Sequence, residues 1–144
     1  MANLLVVDDN VEATRPLAML LRLIKHQVDV AASGDEALTC MINKLPDVVI
    51  LDVMMPGMDG MEVLRRMRAD GRMSVVPVIM FSAVSDPEYQ HAALRKGADD
   101  YVVKGTEFEK LRSRIERLAG MHHIGAAPDV DCGSVTTQSR PAVQ

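Results

Sequence analysis

The sequence predicts an α/β fold, a five-stranded parallel sheet with five helices shared between its two faces, and three observations carry that expectation. The run Val48-Val49-Ile50-Leu51 is apolar without alternation and ends on a carboxylate and a Pro/Gly turn, Asp52 to Gly60. A short run of this kind, bounded by turn residues, reads as a parallel strand buried on both faces. Five strand-like runs alternate with five stretches of helical periodicity, and right-handed crossovers through short links permit little besides a parallel sheet covered on both sides. Each helical stretch is also preceded by Ser, Thr or Asp with Glu three residues on, at Asp9/Glu12, Ser33/Glu36, Asp59/Glu62, Ser85/Glu88 and Thr106/Glu109. That pairing satisfies orphan amides at a helix start.

In order, Leu4 to Val7 is the first strand, Asp8-Asp9-Asn10 an acidic loop, and Val11 to about Ile24 the first helix. Pro16 removes a backbone donor inside it, so a kink or a late start is expected. Gln27 to Ala31 is the second strand, and Ser33-Gly34-Asp35-Glu36 opens a helix whose Ala37, Leu38, Met41 and Ile42 share a face. Asp47 to Leu51 is the third strand; Asp59 to about Ala69 is the third helix, with Met61, Val63, Leu64 and Met67 apolar. Pro77 to Phe81 forms the fourth strand, followed by Ser82, and Asp86 to Lys96 a helix closed by Gly97. Asp100 to Val103 is the fifth strand, Lys104-Gly105 its exit, and Glu107 to Leu118 the last helix, striped by Phe108, Leu111, Ile115 and Leu118. The domain is expected to occupy residues 1–120. Residues 121–144 are rich in Gly, Ala, Pro, Ser and Thr and are expected to be a disordered tail; its His122-His123 pair reads as solvated, not as a metal site.

At 144 residues and 48% apolar, the chain has room for one core. A net charge of -4 without a Lys/Arg cluster argues against direct nucleic-acid binding, which needs concentrated positive charge. Cys40 and Cys132 match neither a metal nor a disulfide spacing. With no leader-like N-terminus and no membrane-length apolar segment, a soluble cytoplasmic protein is expected. Methionines stand where aromatic rings would otherwise fill core gaps.

The chemistry lies where the strands end. Asp8 and Asp9 follow the first strand, Asp52 the third, Ser82 the fourth and Lys104 the fifth, and ligands of such sheets bind beyond the strands' carboxyl ends. Gathered carboxylates repel, so either one stays protonated or a hard cation sits among them. Mg2+ suits oxygen-only ligands. The Lys104 ammonium and the Ser82 hydroxyl suit phosphoryl oxygens, and a carboxylate can itself be the nucleophile, giving an aspartyl phosphate. Alone, each residue has a plainer reading: Asp9 as a helix cap, Ser82 as a turn residue, Tyr101 as a strand residue, Met54, Met55 and Met58 as packing. The arginine groups at 65, 66 and 68 and at 112, 114 and 117 read as solvated helix faces, the second also as a partner surface.

Taken together, Val6-Val7-Asp8-Asp9-Asn10, Leu51 to Gly60, Ser82-Ala83, Gly97-Ala98-Asp99-Asp100-Tyr101 and Val103-Lys104 resemble the response-regulator receiver domain of two-component signalling, over about Leu4 to Leu118. The resemblance implies the flavodoxin-like strand order 2-1-3-4-5. It implies Asp52 as phosphoacceptor, Mg2+ held by Asp8, Asp9, Asp52 and the backbone carbonyl of Met54, Lys104 and Ser82 on the phosphoryl group, and Ser82 and Tyr101 as the switch pair. The phosphoryl donor would be a histidine kinase or histidine phosphotransfer protein, and the domain a regulator assisting its own phosphorylation and dephosphorylation, with an unknown protein target and a homodimer through the fourth helix, fifth strand and fifth helix left open. With about 25 residues after the last helix, too few for a DNA-binding module, a stand-alone receiver is expected. The departure is Gly105, where receivers carry proline. A less rigidly placed Lys104 is expected, with Gly105→Pro slowing loss of the phosphoryl group or leaving it unchanged; the missing proline is also the hint for a phosphorylation-independent interaction module. No Gly-x-Gly-x-x-Gly follows the first strand, against a dinucleotide site, and no Asp-x-Asp follows it, against a phosphohydrolase of dehalogenase type.

Overall fold

A computed structural model describes the backbone of residues 1–123 and the side chains of residues 1–120. Five strands, β1 (Asn3–Val7), β2 (Gln27–Ala31), β3 (Val48–Leu51), β4 (Val78–Ser82) and β5 (Asp100–Val103), alternate with five helices, α1 (Val11–Leu23), α2 (Gly34–Asn43), α3 (Gly60–Ala69), α4 (Pro87–Arg95) and α5 (Phe108–His123). The sheet is parallel throughout in the order β2-β1-β3-β4-β5, as expected.

Alternation along each strand divides the core in two. Leu5, Val7, Val49, Leu51, Val78, Met80 and Tyr101 face α2, α3 and α4, where Met41, Val63, Leu64, Met67 and Ala93 close over them. Leu4, Val6, Val48, Ile50, Ile79 and Val102 face the other way, against Ala18 and Leu21 of α1 and Leu111, Ile115 and Leu118 of α5. Burial on both faces is what the unalternating runs encode. Of the residues expected on the α2 face, Ala37 and Met41 are buried, whereas Ile42 is exposed.

Several boundaries differ from the sequence reading. α1 starts at Val11 with Pro16 inside it, so there is no late start. β4 begins after Pro77, which lacks an amide to donate, and takes in Ser82, which pairs with Val103. α5 continues past Leu118 to His123, so the first residues assigned to a tail are helical; the rest of that stretch, Cys132 included, lies outside the described residues. Half of the expected capping box is present at Ser33, which accepts from the Glu36 amide, and at Asp59, which accepts from the Glu62 amide; the return bond to the cap residue is not, since Glu36 accepts from the Ala32 amide and Glu62 from Arg65 and Arg66. Elsewhere the cap shifts by one residue: Asn10, not Asp9, caps α1, and Asp86, not Ser85, caps α4 with Pro87 in the first turn. Thr106 does not cap α5; its hydroxyl donates to the Val103 carbonyl.

Arg65 and Arg66 are surface partners of Glu62, but Arg68 is no solvated residue. Its guanidinium donates to the carbonyls of Gly97, Ser74 and Val76 at 3.0, 3.1 and 2.9 Å and to Asp99 at 3.2 Å, tying the end of α3 to the chain entering β4 and β5. Arg114 and Arg117 both reach Asp100, and Arg112 pairs with Glu109 and Glu116.

Under the opposite end of the sheet from the acidic loop, His26 is buried, its Nδ1 accepting from the Ala2 amide at 3.1 Å while Nε2 has no partner. Burial, then the chain's N-terminal charge, push its pKa below 6.5. The unfolded chain therefore takes up the proton first. This contribution to stability is complete above 6.5 and is lost as pH falls through the folded-state value. Urea midpoints measured from neutral pH down to about pH 5 are expected to fall less steeply for His26→Gln than for wild type; equal slopes would overturn this.

Candidate functional site

Each side chain of the strand-end cluster is placed by the parity of its strand. Ile50 faces α1 and α5, Leu51 the other side, and Asp52 returns to the first; Val6, Val7 and Asp8 repeat the pattern, as do Val102, Val103 and Lys104. The result is a cleft beneath α1 and α5 lined by Asp8, Asp52, Lys104 and the apolar side chains of Ile50, Phe81 and Phe108.

Asp8 and Asp52 are only 5% and 7% exposed, and Asp9 is exposed. Carboxylate oxygens of the three lie within 4.8 Å of one another. Lys104 Nζ donates to Asp8 Oδ2 at 2.6 Å and stands 3.6 Å from Asp52 Oδ2, while the second Asp8 oxygen accepts from the Asn10 amide at 2.9 Å. Burial, then the charge of Asp8, raise the Asp52 pKa; Lys104 and the backbone amides of Met54 and Val53 oppose the rise. One ammonium among three carboxylates leaves excess negative charge in a partly dry cleft, and oxygen donors so arranged fit a hard divalent cation. The structure sets the Met54 amide at Asp52; its side chain is 62% exposed, while Met55 is buried.

Ser82 ends β4 fully buried, its hydroxyl accepting from the Val84 amide at 3.3 Å. The Val84 carbonyl in turn accepts from the Tyr101 hydroxyl at 2.8 Å. Burial raises the Tyr101 pKa, and the nearby Ser82 hydroxyl opposes this. The ring is already turned inward, 7% exposed, so the two switch candidates are joined through one short stretch of backbone.

Two glycines shape the site in ways the sequence reading missed. A Cβ on Gly60 would lie 2.1 Å from the Asp52 carbonyl oxygen; the start of α3 rests on the backbone of the phosphoacceptor candidate. Among the described residues no peptide is cis, and Gly105 has φ +96°. The Thr106 amide donates to the Val103 carbonyl at 3.3 Å and Lys104 has negative φ, which makes Val103–Thr106 a type II turn with glycine at its third position. Proline cannot take that φ. In this trans turn Gly105→Pro would be strained, which weighs against the expectation that it slows loss of the phosphoryl group or leaves it unchanged.

The fold and site define a class: a doubly wound α/β protein with an acidic cluster and a lysine beyond its strands. The family model described as "Response regulator receiver domain" matches residues 4–116. A probable transcriptional regulator, ycf27, of Cyanophora paradoxa is 42% identical over 115 residues, covering 80% of this chain and 47% of that protein. The transcriptional regulatory protein AfsQ1 of Streptomyces coelicolor is 39% identical, over 82% of this chain and 51% of that protein. Among solved structures, Vibrio cholerae chemotaxis protein CheY4 superposes with TM-score 0.77 at 30% identity, covering 82% of this chain and 98% of that one. The BeF3-activated receiver domain of Klebsiella pneumoniae RstA does so with TM-score 0.74 at 28% identity, covering 81% and 97%.

The chain belongs to the response-regulator receiver domain family. It spans about half the length of the curated relatives it matches. Those relatives are named as transcriptional regulators, so the expectation of no direct nucleic-acid contact rests on charge alone. Among the described residues no helix is long and apolar enough to cross a membrane.

Proposed function

We propose that this domain is a phosphorylatable switch of a two-component relay, taking a phosphoryl group on Asp52. A carboxylate oxygen of Asp52 attacks phosphorus, the bond from phosphorus to the donor's histidine nitrogen breaks, and the imidazole leaves with the electron pair. Asp8, Asp9, Asp52 and the backbone carbonyl of Met54 would hold Mg2+, which neutralises charge on the transferring group. Lys104 meets a phosphoryl oxygen, Ser82 moves its hydroxyl to another, and the Val84 link passes that movement to Tyr101. The donor is a histidine kinase or histidine phosphotransfer protein in the cytoplasm, the output a protein contact, and the same site assists hydrolysis. A homodimer through α4, β5 and α5 belongs to this reading.

The observation that supports it most is the Lys104 ammonium set between Asp8 and Asp52 at 2.6 and 3.6 Å. Incubation with acetyl phosphate and Mg2+ is expected to add about 80 Da, the mass of one phosphoryl group, to wild type and nothing to Asp52→Asn. No gain in wild type would sink the reading and favour a phosphorylation-independent module. That alternative's one hint, the missing proline, is weakened by the well-formed turn at Gly105.

A further inference from the structure

Lys104 carries its charge on a flexible four-carbon stem, yet its task requires the ammonium to stay at one place. The carboxylate that holds it now, Asp8 at 2.6 Å, is also a candidate metal ligand and cannot serve both cations fully. Something uncharged must keep the ammonium in position. Parity along β4 supplies it: Ile79 faces α1 and α5, Met80 faces away, and Phe81 returns to the side to which Lys104 also returns. Lys104 Nζ stands 5.9 Å from the centroid of the Phe81 ring, at the outer edge of the range in which an aromatic quadrupole attracts a cation. The stem's direction is set separately. The type II turn fixes the backbone of Lys104, and the Val103 carbonyl that closes it accepts from both the Thr106 amide at 3.3 Å and the Thr106 hydroxyl at 2.9 Å.

We propose that Phe81 and the turn built on Gly105 are the positioning residues for Lys104, the ring holding the ammonium and the trans turn aiming its stem. The consequence for phosphoryl transfer rests on the function proposed above; the contact itself does not. An aliphatic residue at 81 would fill the same apolar wall beside Ile50 and Phe108 but offers no π face. The effect peculiar to Phe81 is thus electrostatic.

The test uses reductive 13C-methylation of lysines, with the Lys104 signal assigned through Lys104→Arg. In wild type and Phe81→Tyr the Lys104 methyl signal is expected upfield of the other lysines, displaced by the ring current. In Phe81→Leu it is expected among them, while the urea midpoint shows the fold retained. An unchanged signal in Phe81→Leu would overturn the proposal. The initial rate of Asp52 phosphorylation by acetyl phosphate should fall about two- to fivefold in Phe81→Leu, the range of an exposed cation–π contact, and recover in Phe81→Tyr. Equal rates in all three would refute the positioning role, whereas a wild type that accepts no phosphoryl group would refute the function and leave the methyl signal to decide the contact. Gly105→Ala is the second variant: an added Cβ meets nothing within 4 Å, so only the positive φ is strained. It too should move the Lys104 signal; no movement would remove Gly105 from the assignment.

Discussion

Replacing Gly60 with alanine is expected to destabilise the domain by about 3 kcal/mol, the upper end of the usual cost of forcing a methyl into packed structure, and to impair the site at the same time. The cause is not backbone freedom, since Gly60 has no positive φ. An added Cβ would lie 2.1 Å from the Asp52 carbonyl oxygen and 2.8 Å from the Val53 Cα, and both obstacles are main chain, which cannot swing aside as a side chain can. The Gly60 amide donates to the Val53 carbonyl at 2.9 Å, so moving α3 outward breaks the bond that seats it. Moving β3 instead shifts Asp52 relative to Lys104, and a misplacement of about 1 Å is enough to slow a positioned reaction greatly. Urea melts of Gly60→Ala and Gly60→Ser give the stability term, and phosphorylation by acetyl phosphate gives the site term. Wild-type behaviour in both would show that the contact relaxes at no cost.

Asp52 and its neighbours were legible in the sequence because period-two alternation, applied to strands ending together, determines which side each terminal residue faces. Asp8, Asp52 and Lys104 each lie an even step from a residue in the α1/α5 core. The same count reaches Phe81, two residues beyond Ile79, but a phenylalanine at a strand end carries no chemistry of its own that marks it as part of a site. The cap at Asp86 also had a signal, Pro87 at a first helical position. The choice between Asp9 and Asn10 had none, since either residue caps well. Arg68 looked like its neighbours Arg65 and Arg66. Only the fold brings Gly97, Ser74, Val76 and Asp99 to its guanidinium, contacts that helical spacing cannot register. At Gly105 the resemblance to receivers that carry proline concealed a local rule: a turn with positive φ at its third position favours glycine there, as in type II.

A domain built to receive a phosphoryl group should be less stable for it. Asp52→Asn is expected to stabilise the metal-free protein by on the order of 1 kcal/mol, the usual size of a single-substitution effect, because burial and a like charge make the ionised carboxylate costly. Asp52 has its pKa raised from 3.8 by burial and by Asp8. The folded chain therefore holds that proton more tightly than the unfolded one, and the group favours the fold at acid pH and loses that benefit as pH rises through its folded value. At neutral pH the ionised carboxylate is a net cost. Asparagine keeps an oxygen for the Val53 and Met54 amides, gives up the charge and leaves Lys104 to Asp8. A divalent cation among Asp8, Asp9 and Asp52 would offset the same cost in wild type, by about 2.7 kcal/mol when present at a hundred times its dissociation constant. The two effects should be exclusive: Mg2+ raises the wild-type melting temperature strongly and that of Asp52→Asn weakly, while in EDTA the order of stabilities reverses in favour of the variant. If Asp52→Asn were the less stable protein in EDTA, the cluster would be compensated by Lys104 alone, and the case for a resident cation would lose its physical basis.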